Sequence, residues 1–276
     1  MLKPEPDTYG LGSHLLKICT FKVGHEVGGA RRGELLLRSV IEYARSKGHD
    51  TLYVTVHAKH GRLIGFLEGF GFEATKHRTD VGEGVFVKHL SPPAGSPALE
   101  PLEHNVRYGP GALICDRLFI IPIQSRYHSR LLPDADGQPS LLPQEACGNA
   151  IRKTYLCRAN IKQLRPGDTL LFLRTDKNEI AMATAVGVVE DTLRSADPVV
   201  LAEFSRGRTV YSLGEIAELA QATEVLAIQF RFDRSLPAGD WSRDELIRQG
   251  TMLSSPQSVQ EAREESMTWI RQQLDG

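Results

Sequence analysis

The first residues that invite a chemical reading are the glycines and arginines of "EVGGARRG", Glu26 to Gly33, which lie directly ahead of an amphipathic stretch. A helix N-terminus carries unpaired N–H groups and the positive end of the helix dipole, so it is a natural place for an anion. Glycines ahead of it let a phosphate approach the backbone closely. Gly28, Gly29 and Gly33 stand where such a cradle needs them, and Arg31 and Arg32 add positive charge. The same residues would also suit an ordinary glycine-rich turn before a helix, and residue types alone leave both readings open. A second group lies further along the chain. Arg126, Arg130, Arg152, Lys153, Arg158 and Lys162 form a basic run interleaved with Tyr127 and Tyr155, while Tyr211 and Trp241 are further aromatics. Basic groups follow phosphates and aromatic faces stack on bases. The alternative is a solvated basic face with Tyr155 in the core. His57 and His60 have the spacing of a helical metal pair, but no third ligand is near and the segment straddles a strand end, so no metal site is assigned. Tyr53 and His57 are the types of an acid and a base, yet on a strand they read as packing and surface residues.

Elements must position these groups. "HLLKICTFKV" (His14 to Val23) predicts a strand, and Leu36, Leu37, Val40, Ile41 and Ala44 then fall on one face of a helix that Gly48 ends. "DTLYVTVHA" predicts the next strand, "GRLIGFLEGFGF" a short helix and "GVFVKHL" a closing strand, a βαβαβ order that implies a parallel or mixed sheet. "HLSPPAGSPALEPLEHN", with four prolines, reads as a semi-rigid linker. The expected division is residues 1–90, a linker over 91–104, and a second domain over 105–276. In that second part "RLFIIPI", "DTLLFL", "IAMATAVGVVE" and "VLAIQFRF" are β runs separated by turns, including "RPGD" with Pro166 second and Gly167 third. The pattern predicts a small barrel or sandwich with a few helices. A last helix is expected to start at Ser255 and Pro256 and to bury Val259, Ala262, Ile270 and Leu274.

Composition narrows the function classes. The 276 residues are 41% hydrophobic and 24% charged, globular values that argue against disorder. A net charge of −1 supplies no bulk basic field, so any nucleic-acid binding must come from a local patch. Four scattered cysteines without a CxxC pair suit reduced thiols better than a zinc site or a disulfide framework. No apolar run has the length of a membrane span and the N-terminus is not a signal peptide, so a soluble cytoplasmic protein is expected.

Two resemblances extend this reading. Strand, "GGARRG", helix, Gly48, strand and a short helix ending "FLEGFGF" resemble the second half of a GNAT-superfamily acetyltransferase, over roughly Leu15 to Leu90. The resemblance implies that Val23, Gly28, Gly29, Arg31, Arg32 and Gly33 hold the pyrophosphate of acetyl-CoA. Arg31 replaces the family's middle glycine, and Leu67 stands where a tyrosine often acts as general acid; leucine cannot protonate a leaving thiolate. The family's first strands and helices have no counterpart in the roughly 14 residues before the first strand. A partner chain, an upstream domain or loss of that half would account for this. Further along, "FIIPIQSRYHS", "IRKTYLCRAN", "LRPGDTLLFLRT" and "LIRQGTMLSSPQS" resemble, in order, blocks of an EVE domain, a PUA-like barrel related to readers of methylated adenine. That resemblance implies an α+β PUA-like barrel whose pocket accepts an extruded, modified base of DNA or RNA. Gln124, Ser125, Tyr127, Arg152, Lys153, Tyr155, Asn160 and Ser254 would contact the nucleic acid. Leu173 stands where the family has an aromatic, and "RGRTVYSLGEI" (Arg206 to Ile216) has no place in the basic family pattern. The alternative function is an N-acetyltransferase targeted to RNA, or to a protein associated with it, by the second domain.

Overall fold

The structure, a computed structural model, describes residues 1–21, 31–136, 145–176, 180–237 and 239–275. It forms a mixed α/β chain of two compact units, each with its own sheet; the first ends at Leu113, and the second is the chain from Ile114 onward together with Arg31.

The first unit contains β1 (Leu2–Pro4), β2 (Leu15–Ile18), α1 (Arg32–Ser46), β3 (Thr51–Val56), α2 (Gly61–Glu68), β4 (Glu73–Arg78), β5 (Gly84–His89) and α3 (Pro101–Tyr108). Its sheet has the order β1-β2-β3-β5-β4. Among the described residues only β2 and β3 pair in parallel, Leu16 opposite Leu52, with α1 as the crossover; the other pairs are antiparallel. The helical periodicity holds: Leu37, Val40, Ile41 and Ala44 are buried. A fully buried Leu or Ile is worth roughly 1.5–3 kcal/mol over an exposed one, so this stripe fixes α1 on the sheet. The expected strand from His14 covers only Leu15–Ile18 among the described residues. β4 has no signal in the sequence, because "EATKHR" is a polar, largely exposed edge strand whose pairing is dictated by β5.

The expected linker also differs. α3 begins inside it, with Pro101 in its first turn, and packs on β5. Two cations hold this segment to the first unit. Arg45 donates from Nη2 to the Leu90 and Tyr108 carbonyls and from Nε to Pro110, and the buried Lys88 Nζ donates to Arg107 O at 2.8 Å. Gly71, at φ +81°, lies so close that an added Cβ would sit 2.3 Å from the Val106 carbonyl. Gly71→Ala is therefore expected to cost about 3 kcal/mol, from left-handed strain and overlap together. Gly82→Ala, at the same φ of +81° but in open space, should cost only about 1 kcal/mol. Urea denaturation of both variants checks this, and equal losses would show that the Gly71 contact does not matter.

The second unit contains β6 (Leu118–Gln124), α4 (Ser125–Leu131), a 3-10 turn over Pro133–Asp136, α5 (Ala146–Asn149), β7 (Arg152–Cys157), β8 (Thr169–Thr175), β9 (Met182–Ser195), α6 (Pro198–Ser205), α7 (Leu213–Ala222), β10 (Val225–Ser235), α8 (Arg243–Arg248), β11 (Gln260–Glu261), a 3-10 turn over Glu264–Ser266 and α9 (Met267–Asp275). Its sheet has the order β11-β6-β8-β9-β10-β7. β6 and β8 are parallel and the other pairs antiparallel. Among the described residues strand pairing leaves two ends and does not close the expected barrel, although the sheet curls round a core that includes Phe119, Ile121, Phe172, Ile228 and Phe230. The "RPGD" turn forms as expected, with Asp168 N donating to Arg165 O and Gly167 at φ +93°. The final helix does not start at Ser255. β11 pairs with β6 instead, Gln260 opposite Ile120, and the helix begins at Met267. Val259, Ala262, Ile270 and Leu274 are nevertheless all buried. The apolar residues are buried, but Val259 and Ala262 flank β11 while Ile270 and Leu274 lie in α9.

Candidate nucleic-acid interface

The parallel pairing of β6 and β8 runs in register from Leu118 opposite Thr169 to Gln124 opposite Thr175, so both strands end at the same level. α4 starts at the next residue, Ser125. An opening of about 630 Å³ lies there, lined by Gln124, Ser125, Arg126, Thr175 and Asp176. This is within the range of small-ligand sites and large enough for a nucleobase. Thr175 Oγ1 donates to Ile123 O at 3.3 Å, tying the two strand ends together. Arg126 donates from Nε to Gln124 Oε1 at 3.1 Å, and its guanidinium lies 4.5 Å from the centre of the Tyr127 ring. Tyr127 in turn packs on Tyr211, with ring centres 5.0 Å apart and planes tilted by 40°. A cation over one ring and a second ring against it make a half-buried aromatic pair, packed on the core, beside the opening.

Tyr155 supports this region from below. Its ring meets Phe172 edge to face, and its hydroxyl donates to the Pro122 carbonyl at 3.0 Å. Burial pushes the Tyr155 phenol well above its ordinary value, so the group remains a neutral donor; burial raises Tyr211 likewise, with Tyr127 adding to the effect.

The structure brings together Gln124, Ser125, Arg126, Tyr127 and Tyr211 of the expected residues, and it adds Thr175 and Asp176. Thr175 and Asp176 are signalled only as a polar end to an apolar strand; the β6–β8 register is what places them. Other expectations are corrected. Lys153 is 1% exposed and its Nζ donates to the carbonyls of Cys147 and Gly148, so it faces the interior and not a phosphate. Trp241 is buried against Trp269 and offers no free face, and Leu173 lies in the core. Arg130 pairs with Glu145 and donates to Val210 O, while Arg152 pairs with Glu190 at 2.6 Å, and neither lines this opening. Asn160 and Ser254 are exposed and do not line the opening. His128, which the sequence does not single out, is fully buried with Nε2 2.7 Å from Thr184 Oγ1.

Of the residues expected to hold a cofactor, Val23, Gly28 and Gly29 lie outside the described residues. Arg31 has φ +50°, Arg32 opens α1 and is exposed, and Gly33 in the first turn lies beside the Phe66 ring. Leu67 is buried, and Tyr53 is buried with its hydroxyl bonded to Glu5. His57 Nε2 is 3.6 Å from Glu83. Among the described residues there is no cluster of three or more metal-ligating side chains. No helix of the described residues is long and apolar enough to cross a membrane.

No protein-family model matches the chain, and neither does any curated protein. Solved structures do. The chain is similar to a serine-to-alanine point mutant of ZmASCH from Zymomonas mobilis at 13% identity, over 58% of this chain and 98% of that one, with a TM-score of 0.42. It is similar to ASCH from the same organism at 13% identity, over 56% and 94%, again with a TM-score of 0.42. A likeness of that degree assigns no function.

The buried phenols give a pH prediction. A phenol whose folded pKa is raised adds stability that is complete below its unfolded value of about 10 and is lost as pH rises beyond it. Stability should therefore fall above about pH 10, and Tyr211→Phe should fall less steeply than the wild type. Denaturant unfolding at about pH 9 and about pH 10.5 measures the difference, and identical slopes would remove Tyr211 from the account.

Proposed function

We propose that the second unit binds DNA or RNA and takes an extruded, modified base into the opening at the end of β6 and β8. The observation that carries this reading is the adjacency of a 630 Å³ polar opening to the Tyr127–Tyr211 pair with Arg126 over it. Extruding a base costs a few kcal/mol, and stacking one base on an aromatic side chain recovers about 1–3 kcal/mol. Stacking alone therefore comes close to balance. Hydrogen bonds from Gln124, Ser125 and Thr175 to the base edge would supply the remainder and the discrimination. A modification that weakens pairing in the duplex lowers the extrusion cost and favours such a base. On this reading, fluorescence anisotropy with plain and modified DNA and RNA oligonucleotides at low salt detects binding, and Tyr127→Ala weakens it by about tenfold or more. No binding across the panel would overturn the reading.

A second reading concerns the first unit, as a scaffold or acetyl-CoA sensor, or as an acetyltransferase. What favours a cofactor there is the parallel β2–β3 pair joined by α1, with Arg32 opening the helix. The buried Leu67 in place of an acid favours sensing over catalysis. Calorimetric titration with acetyl-CoA is expected to show micromolar binding that Gly33→Glu abolishes. Silence in the wild type would leave the first unit a scaffold.

A further inference from the structure

The segment Arg206–Tyr211, which has no counterpart in the expected pattern of the second unit, has a definite path. It leaves the C-terminus of α6 and runs beside the edge strand β7, where Thr154 N donates to Arg208 O at 2.9 Å and Arg208 Nη1 donates back to Arg152 O at 2.8 Å. Arg130 Nη2 holds it again at Val210 O, 2.6 Å away, and it ends at Tyr211 in the aromatic pair. At its other end lies a separate pocket of about 430 Å³, lined by Arg152, Arg206 and Arg208 together with Asp191, Glu203 and Gln229. The lining itself carries three guanidiniums and two carboxylates on a chain whose net charge is −1, and behind it Glu190 pairs with Arg152 and with the buried Arg231.

We infer that this arginine pocket is a phosphate subsite, and that the ligand of the second unit is a single strand of several nucleotides rather than a free base or nucleoside. The inference rests on the base-binding reading above and extends it. Arg206 to Tyr211 spans five residue steps, at most roughly 17 Å of extended chain, which is the span of a few nucleotides. Because the segment is held at Arg208 and Val210, aromatic pair and pocket are pre-spaced, and little ordering cost falls on binding.

Arg206 marks the subsite independently. It occupies the left-handed cap position after α6 at φ +45°, where glycine is the favoured residue, and it is exposed at the pocket. A residue kept in a strained cap is better placed for a ligand than for stability, and the two roles separate by mutation. Arg206→Gly relieves the strain and removes the charge.

The test uses the full chain, single-stranded RNA and DNA oligonucleotides of increasing length, and the matching nucleosides. For Arg206→Gly the expectation is an unchanged or higher Tm, about fivefold weaker oligonucleotide binding, and a log–log salt slope shallower by about 0.7. Nucleoside binding should not change, and Arg206→Lys should keep the slope. If Arg206→Gly binds oligonucleotides with the wild-type affinity and slope while Tyr127→Ala loses them, the phosphate subsite is wrong and the base site stands. If the wild type binds no oligonucleotide, both fall.

Discussion

One hydrogen bond ties together parts of the second unit that strand pairing leaves apart. β7 ends the sheet order, and β6 lies on the far side of three intervening strands. Tyr155, on β7, nevertheless donates to the carbonyl of Pro122 on β6. The sheet must curl for that contact to form, and the stacked rings of Phe172 and Phe230, centres 4.8 Å apart, fill the space inside the curl. Proline at position 122 is compatible with this because β11 pairs with β6 only at Phe119 and Ile120. Beyond those residues the outer edge of β6 needs no backbone donor. The carbonyl is then available to a side chain, and a phenol kept neutral by burial supplies the proton.

The candidate site follows from that curl. It brings β7 and the Arg206–Tyr211 segment to the side of the unit where β6 hands over to α4, so Tyr211 meets Tyr127 of α4 beside the polar opening. The parallel β6–β8 register sets the floor of the opening, and the short α4 directs Arg126 and Tyr127 at its rim. The first unit is built differently, round a βαβ crossover, with α3 clamped by Arg45 and Lys88. Both units use buried or half-buried cations as donors to backbone carbonyls, Lys88 and Arg45 in one and Lys153 in the other. In each case the charge is spent on structure and is unavailable to a ligand.

That use of cations explains where sequence reading succeeds and where it does not. Alternating or continuous apolar runs mark β3, β5, β6, β8, β9 and β10, and 3.6-residue spacing marks the buried face of α1. Turn chemistry places the bend at Pro166 and Gly167. These are local signals, and the structure keeps them. β4 escapes because nothing in "EATKHR" is apolar enough to announce a strand. The late stripe of Val259, Ala262, Ile270 and Leu274 misleads because the residues flanking a short strand and those of a following helix can be buried as one helix face would be. For the candidate site, Gln124, Ser125 and Tyr127 come from the resemblance carried by "FIIPIQSRYHS" and not from a local pattern. Lys153 misleads because charge in a sequence does not say which way a side chain points. Thr175 and Asp176 depend on the register between two strands far apart in the chain, which no local pattern encodes.

The central claim is that a base lies against Tyr127 and Tyr211 at the end of β6 and β8. The most direct measurement is photo-crosslinking of oligonucleotides carrying a single thio-substituted base to the full chain, with the attachment point located by peptide mass spectrometry. The account predicts adducts on Tyr127 or Tyr211, or on the residues between Gln124 and Arg130. Adducts confined to the first unit, or spread over exposed lysines without preference, would contradict it.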